Sequence, residues 1–242
     1  RDNSGDRYFS GFDTSLNTVF ADEALDRNEI KKDTKSLEKL FLKTKYFVCG
    51  TIILSSSIST DSINFLLSLA NKFDVKIIID LNWREVFWEF ATSSSETSKK
   101  ERVDLIRNLL NEAHILKLAK EEAILFFENE NPLEISESLL NRPDVIITDG
   151  ANPILWFING VQGMTEVLKS LKIIDTTGAG DAFLAGLISQ LLSFDYPSNE
   201  SEIQNCVRFA SICGLLTCLG EGAIEQQPDY SKVNRFLGSQ IL

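Results

Sequence analysis

The run IDTTGAGDAFLAG, residues 174–186, carries the residue types of a phosphate-handling turn. Gly178, Ala179 and Gly180 stand just ahead of a helical apolar pattern made by Phe183, Leu184, Leu187, Ile188 and Leu191. Glycines let backbone approach an anion that a Cβ would hold off. N–H groups at a helix start converge on negative charge. Asp181 falls in the first turn of that helix. A carboxylate there can take a proton from a hydroxyl while the neighbouring N–H groups stabilise charge on a transferring phosphoryl group. The same residues also read as plain helix-start chemistry, in which Asp175 or Asp181 favours the N-terminus by about 0.5–2 kcal/mol and does nothing else. Residue types alone leave both readings open.

A second polar cluster, Asp80-Leu-Asn-Trp-Arg84, follows the apolar run VKIIID. Its side chains therefore emerge at the C-terminal end of a buried strand, where open α/β sheets bind ligands. Arg84 offers a forked contact to an anionic or hydroxyl-rich ligand; the alternative is a surface salt bridge. Several common chemistries are missing. There is no Gly-Lys dipeptide, no GxGxxG, no HExxH and no GxSxG, which removes the P-loop, the dinucleotide fingerprint, the zinc protease helix and the nucleophile elbow. Cys49, Cys206, Cys213 and Cys218 have no CxxC spacing, and His114 is the only histidine, so a zinc site lacks partners. The cysteines read as small buried hydrophobes in a reducing compartment. His114 reads as a packed or capping side chain at a helix-to-strand junction.

The elements that must position these residues follow from periodicity. The chain has 242 residues, enough for one large α/β domain, with 43% apolar and 24% charged residues, the balance of an ordinary soluble globular protein. No apolar run reaches the 18 to 20 residues of a membrane span. The net charge of −11 and pI near 4.7 repel phosphate backbones and argue against nucleic acid as a partner. Alternation after a turn at Ser4-Gly5-Asp6 suggests a strand within residues 1–20. Apolar runs predict strands at 46–54, 75–80, 114–118, 144–148, 154–158 and 165–174. Helical spacing predicts helices at 61–73, 101–112, 120–128, 134–141, 179–193, 199–219 and 229–238, with helix or loop at 21–43. A serine-rich turn is expected at 55–60 and a mobile loop at 91–99. Strands alternating with helices, several of them continuous apolar runs, argue for an α/β sandwich with a mainly parallel sheet.

The stretch from Asp175 to Leu187 resembles the second signature of the PfkB/ribokinase family of carbohydrate kinases, and matches its pattern throughout. The resemblance implies that Asp181 is the catalytic base and that Gly178, Ala179 and Gly180 form the anion hole. Asp175 and Thr177 would contribute to a monovalent-cation site. Asp80, Asn82 and Arg84, followed by Phe87-Trp88, resemble the D-x-N-x-R…LW segment of fructokinases and ketodeoxygluconate kinases, which implies substrate binding. Lys117-Leu-Ala-Lys-Glu-Glu122 resembles the family's K-x-[N/S]-x-x-E. It implies that Glu122 helps hold magnesium through water and that Lys117 lies on the nucleotide side. Taken without the resemblance, Glu122 reads as a solvated helix charge. Ala119 departs from the family's Asn or Ser. Thr148-Asp149-Gly150-Ala151 resembles the nucleotide-site turn and puts Thr148 and Gly150 there, although Asn152-Pro153 replaces the second glycine. Phe209-Ala210-Ser211, with Gly220-Glu-Gly-Ala223 and Pro228, resembles the helix and loop that enclose adenine, which implies nucleotide contacts from Ser211 and Gly222.

The resemblance implies a ribokinase-like three-layer α/β/α sandwich with its lid only partly present. Residues 1–20 would be a remnant of the β lid, and residues 21–242 the α/β core without its first strands. Arg1 as first residue and Met164 as the only methionine fit a chain that begins inside a longer protein. The expected activity is ATP-dependent phosphorylation of a sugar, fructokinase-like, with ATP, Mg2+ and K+ as ligands. No nucleic-acid or membrane partner is expected. A homodimer through the lid and a cytoplasmic location are, with a targeting segment left open. Two other readings stand beside it. A nucleoside kinase of adenosine type is disfavoured by Asp80-Leu-Asn-Trp-Arg84. A non-catalytic descendant serving regulation or assembly is favoured by Ala119 and Asn152-Pro153, and disfavoured by the intact glycine turn and Asp181.

Overall fold

Strands buried on both faces need continuous apolar runs, and Ile77, Ile78 and Ile79 supply one that is fully removed from water. They form the centre of β2 (Lys76–Asp80). The structure is a computed structural model that describes residues 25–84, 96–168, 172–193 and 196–239. The lid expected at 1–20, the dimer expected through it, Phe87-Trp88 and most of the loop expected at 91–99 lie outside these residues. The strands β1 (Tyr46–Gly50), β2, β3 (Ile115–Ala119), β4 (Asp144–Asp149), β5 (Asn152–Ile158) and β6 (Val161–Thr165) follow one another in sheet order as they do in sequence. β1, β2 and β3 pair in parallel, while β5 and β6 pair antiparallel. The chain forms two compact units, whose described parts are residues 25–147 and 148–239.

In the first unit, α1 (Arg27–Lys31) and α2 (Thr34–Phe41) precede β1. α3 (Ser57–Lys72) and α4 (Glu96–Leu110) are the crossovers between the parallel strands. A strand order that advances one way with right-handed crossovers puts both on one face of the sheet. α5 (Lys120–Phe127) and α6 (Pro132–Glu137) follow β3. Asn131 caps α6 by accepting the Leu133 N–H, with Pro132 at the first helical position, where a missing N–H costs nothing. His114 packs as expected at its junction, its Nδ1 accepting the Ile77 N–H at 3.2 Å, and burial lowers its pKa.

In the second unit, β5 and β6 form a hairpin closed by Asn159-Gly160, with φ of 50° and 77°. Two consecutive residues at positive φ make the turn whose twist matches paired strands, and Asn-Gly is its strongest sequence signal. Trp156 sits opposite Gly163, fills the space a side chain would need there, and donates its indole N–H to Thr165 at 3.0 Å. α7 (Ala179–Ser193), α8 (Glu200–Thr217) and α9 (Tyr230–Ser239) complete the unit. α7 and α8 meet through glycines. A Cβ on Gly186 would stand 2.7 Å from Cys213 Sγ, and one on Gly214 would stand 2.9 Å from the Ala179 carbonyl.

Several expected elements are corrected. The strand expected at 46–54 stops at Gly50, and Thr51–Ser55 is a 3-10 turn. Thr51 bends the chain there, donating both its N–H and its hydroxyl to the Leu81 carbonyl. The serine turn at 55–60 is a helix start instead: Ser56 caps α3 by accepting the Ile58 N–H. α4 begins at Glu96, inside the expected loop. The strand expected at 165–174 is displaced to 161–165, because the hairpin turn sets its register. Ile174 lies in no strand, since the Ile174 and Asp175 N–H groups both bond the Cys218 carbonyl at the end of α8. All four cysteines are free, three of them buried and Cys49 half-buried.

Gly214→Ala tests the helix contact. In an open helix the change would gain about 1 kcal/mol of propensity. Here the new Cβ meets a backbone carbonyl that cannot rotate away, so a net loss of about 1–3 kcal/mol is expected, read as a lowered thermal midpoint. An unchanged or raised midpoint would show that α8 does not approach Ala179.

Candidate active site

In the second unit the glycine turn is built around Asp175, which has no solvent exposure. Its Oδ1 accepts the N–H and the hydroxyl of Thr177, at 3.1 and 2.7 Å, and its Oδ2 accepts the Gly222 N–H at 2.9 Å. One buried carboxylate thus ties the loop at 220–223 to the turn that starts α7. Gly178 and Gly222 both sit at φ 79°, a region that glycine enters without cost. A Cβ on Gly178 would fall 2.8 Å from the Ala223 Cβ, so the two loops pack backbone to backbone. The chain then enters α7. The Ala179 N–H donates to the Thr176 carbonyl and the Ala182 N–H to the Gly178 carbonyl. The N–H groups of Gly180 and Asp181 have no backbone acceptor among the described residues, as expected for a helix start. Asp181, in the first turn, is exposed. A water-accessible carboxylate beside free helix-start donors is the arrangement that proton removal next to a phosphoryl anion needs.

The nucleotide-side expectations divide. Thr148 and Asp149 end β4 half-buried, and Gly150, at φ 52°, turns the chain into β5, with only Gly150 and Ala151 between the strands. The Asn152-Pro153 departure therefore falls on the first residues of a strand. Ser211 on α8 is half-buried, but Phe209 and Ala210 are core residues, with Phe209 stacked 5.4 Å from Tyr230. Phe209 nevertheless lines a small cavity together with Pro228 and Tyr230. The Gly222 N–H is spent on Asp175. Burial, and then the Asp175 charge, push the Cys218 thiol up.

The first unit brings together Asp80, Asn82, Arg84, Lys117 and Glu122. Asp80 ends β2 and Lys117 lies beside it on β3, at 8% and 6% exposure. The Lys117 ammonium donates to both Asp80 oxygens, at 3.0 and 3.3 Å. Glu122 is buried rather than a solvated helix charge. Its Oε1 accepts the Trp83 N–H at 2.6 Å and its Oε2 accepts the Ala119 N–H at 2.8 Å. Burial raises the Glu122 pKa, opposed by those two N–H donors and by the Lys117 charge. Leu81 is fixed on both sides, its N–H bonding the Lys117 carbonyl and its carbonyl bonding Thr51. Asn82 is half-buried at φ 44°. Arg84 is exposed, donates to the Trp83 carbonyl at 2.9 Å, and meets no carboxylate at ion-pair distance among the described residues.

Sequence reading missed Thr51 and Gly214 as supports of these segments. Gly214 alone carried a signal: a glycine among bulky apolar residues in a helix asks for a packing reason.

The pfkB family carbohydrate kinase model matches residues 13–229. The chain is 28% identical over 240 residues to probable fructokinase-6, chloroplastic, of Arabidopsis thaliana, covering 97% of this chain and 58% of that protein. Among solved structures it matches fructokinase from Vibrio cholerae O395 in fructose-, ADP- and calcium-bound form, at 25% identity and a TM-score of 0.68, covering 80% of this chain and 61% of that one. It also matches fructokinase with bound ATP from Xylella fastidiosa, at 20% identity and a TM-score of 0.73, covering 85% of this chain and 65% of that one. The chain spans about six-tenths of the length of these relatives. The ribokinase-like α/β fold expected from the sequence is the fold of these neighbours, and the chain belongs to the pfkB family of carbohydrate kinases.

Proposed function

We propose that this protein is an ATP-dependent sugar kinase of fructokinase type. The observation that carries the reading is the exposed Asp181 at the start of α7, on a glycine turn held by the buried Asp175. The fructokinase relatives support the same substrate class. In this reading the sugar hydroxyl gives its proton to the Asp181 carboxylate. Its oxygen forms a bond to the γ-phosphorus of ATP as the bond to the bridging oxygen breaks, and ADP leaves with that electron pair. Helix-start N–H groups at Gly180 and Asp181 stabilise charge on the transferring group. Such catalysis rests on positioning and electrostatics rather than on covalent chemistry. Thr148 and Gly150 are assigned to the nucleotide, and Asn82 and Arg84 to the sugar. Lys117 and Asp80 hold each other and are assigned to supporting these groups.

Among the described residues no group of three or more His, Cys, Asp or Glu gathers as a metal cage. That fits Mg2+, which keeps several waters and binds through one or two carboxylates with substrate phosphates. Glu122, whose oxygens each accept one N–H and keep a lone pair, is the residue that would hold the hydrated ion. Mg2+ held there would neutralise charge on the phosphates. Asp175 and Thr177 are oxygen donors for a K+ ion at the turn. Four free cysteines suit a reducing compartment, and we assign the protein to the cytoplasm on that ground.

Two substitutions in the full-length protein test this reading. Asp181→Asn should bind ATP as the parent does while sugar-dependent ADP release falls roughly 10²–10⁴-fold. Turnover equal to the parent would reject Asp181 as the base. A parent with no sugar-dependent turnover over a panel of hexoses, pentoses and nucleosides would instead favour the regulatory descendant. Arg84→Ala should raise the apparent KM for the sugar and leave ATP affinity alone; unchanged sugar KM and rate would make Arg84 a structural residue.

A further inference from the structure

We propose that Glu122 is a positioning residue for the Asp80–Arg84 segment, so that one carboxylate serves both the metal side and the sugar side of the kinase. This rests on the reading above. Glu122 Oε1 accepts the Trp83 N–H at 2.6 Å, which is the first fixed point of the chain beyond Leu81. Between them Asn82 sits at φ 44°, a left-handed backbone that asparagine enters more readily than most residues with a Cβ. The Trp83 ring meets Phe126 edge-on, with centroids 5.3 Å apart. Glu122 and Phe126 are four residues apart on α5 and share a face of the helix. One holds the Trp83 backbone and the other its ring. Arg84 in turn donates to the Trp83 carbonyl at 2.9 Å, so the guanidinium is referred to the same residue. The other oxygen of Glu122 takes the Ala119 N–H at the start of α5, which makes the carboxylate a strut between the helix start and the strand-end segment. The Asp80–Lys117 ion pair fixes the strand ends behind it. A group on Glu122 that draws on its oxygens must then alter the hold on Trp83, and binding linkage makes the effect reciprocal.

Amide hydrogen exchange tests this without any need for turnover. In Glu122→Ala the Trp83 and Ala119 amides should exchange roughly 10–100-fold faster, the loss expected for bonds to a charged acceptor, while Ile78 and Ile79 keep their protection. If that variant loses its cooperative thermal transition, Glu122→Gln carries the test, since it can accept only one of the two N–H groups and one of the two amides should accelerate. Unchanged exchange at both amides overturns the proposal. A kinetic arm with full-length protein separates the strut from a metal-only role. At saturating Mg2+ and ATP, Glu122→Ala should still raise the sugar KM several-fold. A defect that disappears entirely at high Mg2+ overturns the coupling. A parent without kinase activity whose Trp83 amide nevertheless responds would leave the strut standing and defeat the kinase reading.

Discussion

A carboxylate taken out of water has to be solvated by the chain's own donors, and this protein meets that requirement with backbone N–H groups. Asp175 is the most complete case, with no solvent exposure and bonds from Thr177 and Gly222. Because Asp175 and its donor Gly222 are 47 residues apart, satisfying the charge also fixes their two loops to each other. The rest of that unit is arranged so that they can meet. Gly178 must lack a Cβ for Ala223 to approach, Gly222 must take a positive φ, and Gly214 must let α8 reach the Ala179 carbonyl. Loosening the Asp175 bonds would therefore blur the geometry of the α7 start and of Asp181.

The first unit applies the same physics at Glu122, with a different result. Its oxygens are shared between Trp83 and Ala119, one strand end and one helix start, and burial outweighs the donors enough to raise its pKa. Beside it the Asp80–Lys117 pair is equally buried. A buried ion pair is weak evidence for added stability, because desolvation cancels most of the attraction, but removing one partner leaves a buried charge and is costly. The pair is better understood as holding the ends of β2 and β3 in register. Buried charge is thus met locally, by N–H groups at Asp175 and Glu122 and by Lys117 at Asp80.

Much of this was legible in the sequence, and the reason is locality. KIIID declares a strand buried on both faces by composition alone, and the DTTGAGD run declares its turn because glycine, hydroxyl and carboxylate act within seven residues. Two of the misread elements were set by partners far along the chain. The stretch 165–174 alternates well enough for a strand, yet Ile174 and Asp175 bond the Cys218 carbonyl, more than forty residues later. Thr51 ends β1 because of Leu81. The register of β6 was an exception, since Asn159-Gly160 carried a local hairpin signal that periodicity over the longer window obscured.

For the site, the sequence by itself determined which groups exist: an acid at a helix start, glycines before it, and an arginine and a glutamate at strand ends. Only the tertiary structure decided what each group is free to do. Lys117 is spent on Asp80 and the Gly222 N–H on Asp175, whereas Asp181 and Arg84 remain exposed. The physical reason is that availability depends on burial and on which donor meets which acceptor. Those are properties of contacts between distant residues, and residue type and spacing do not encode them.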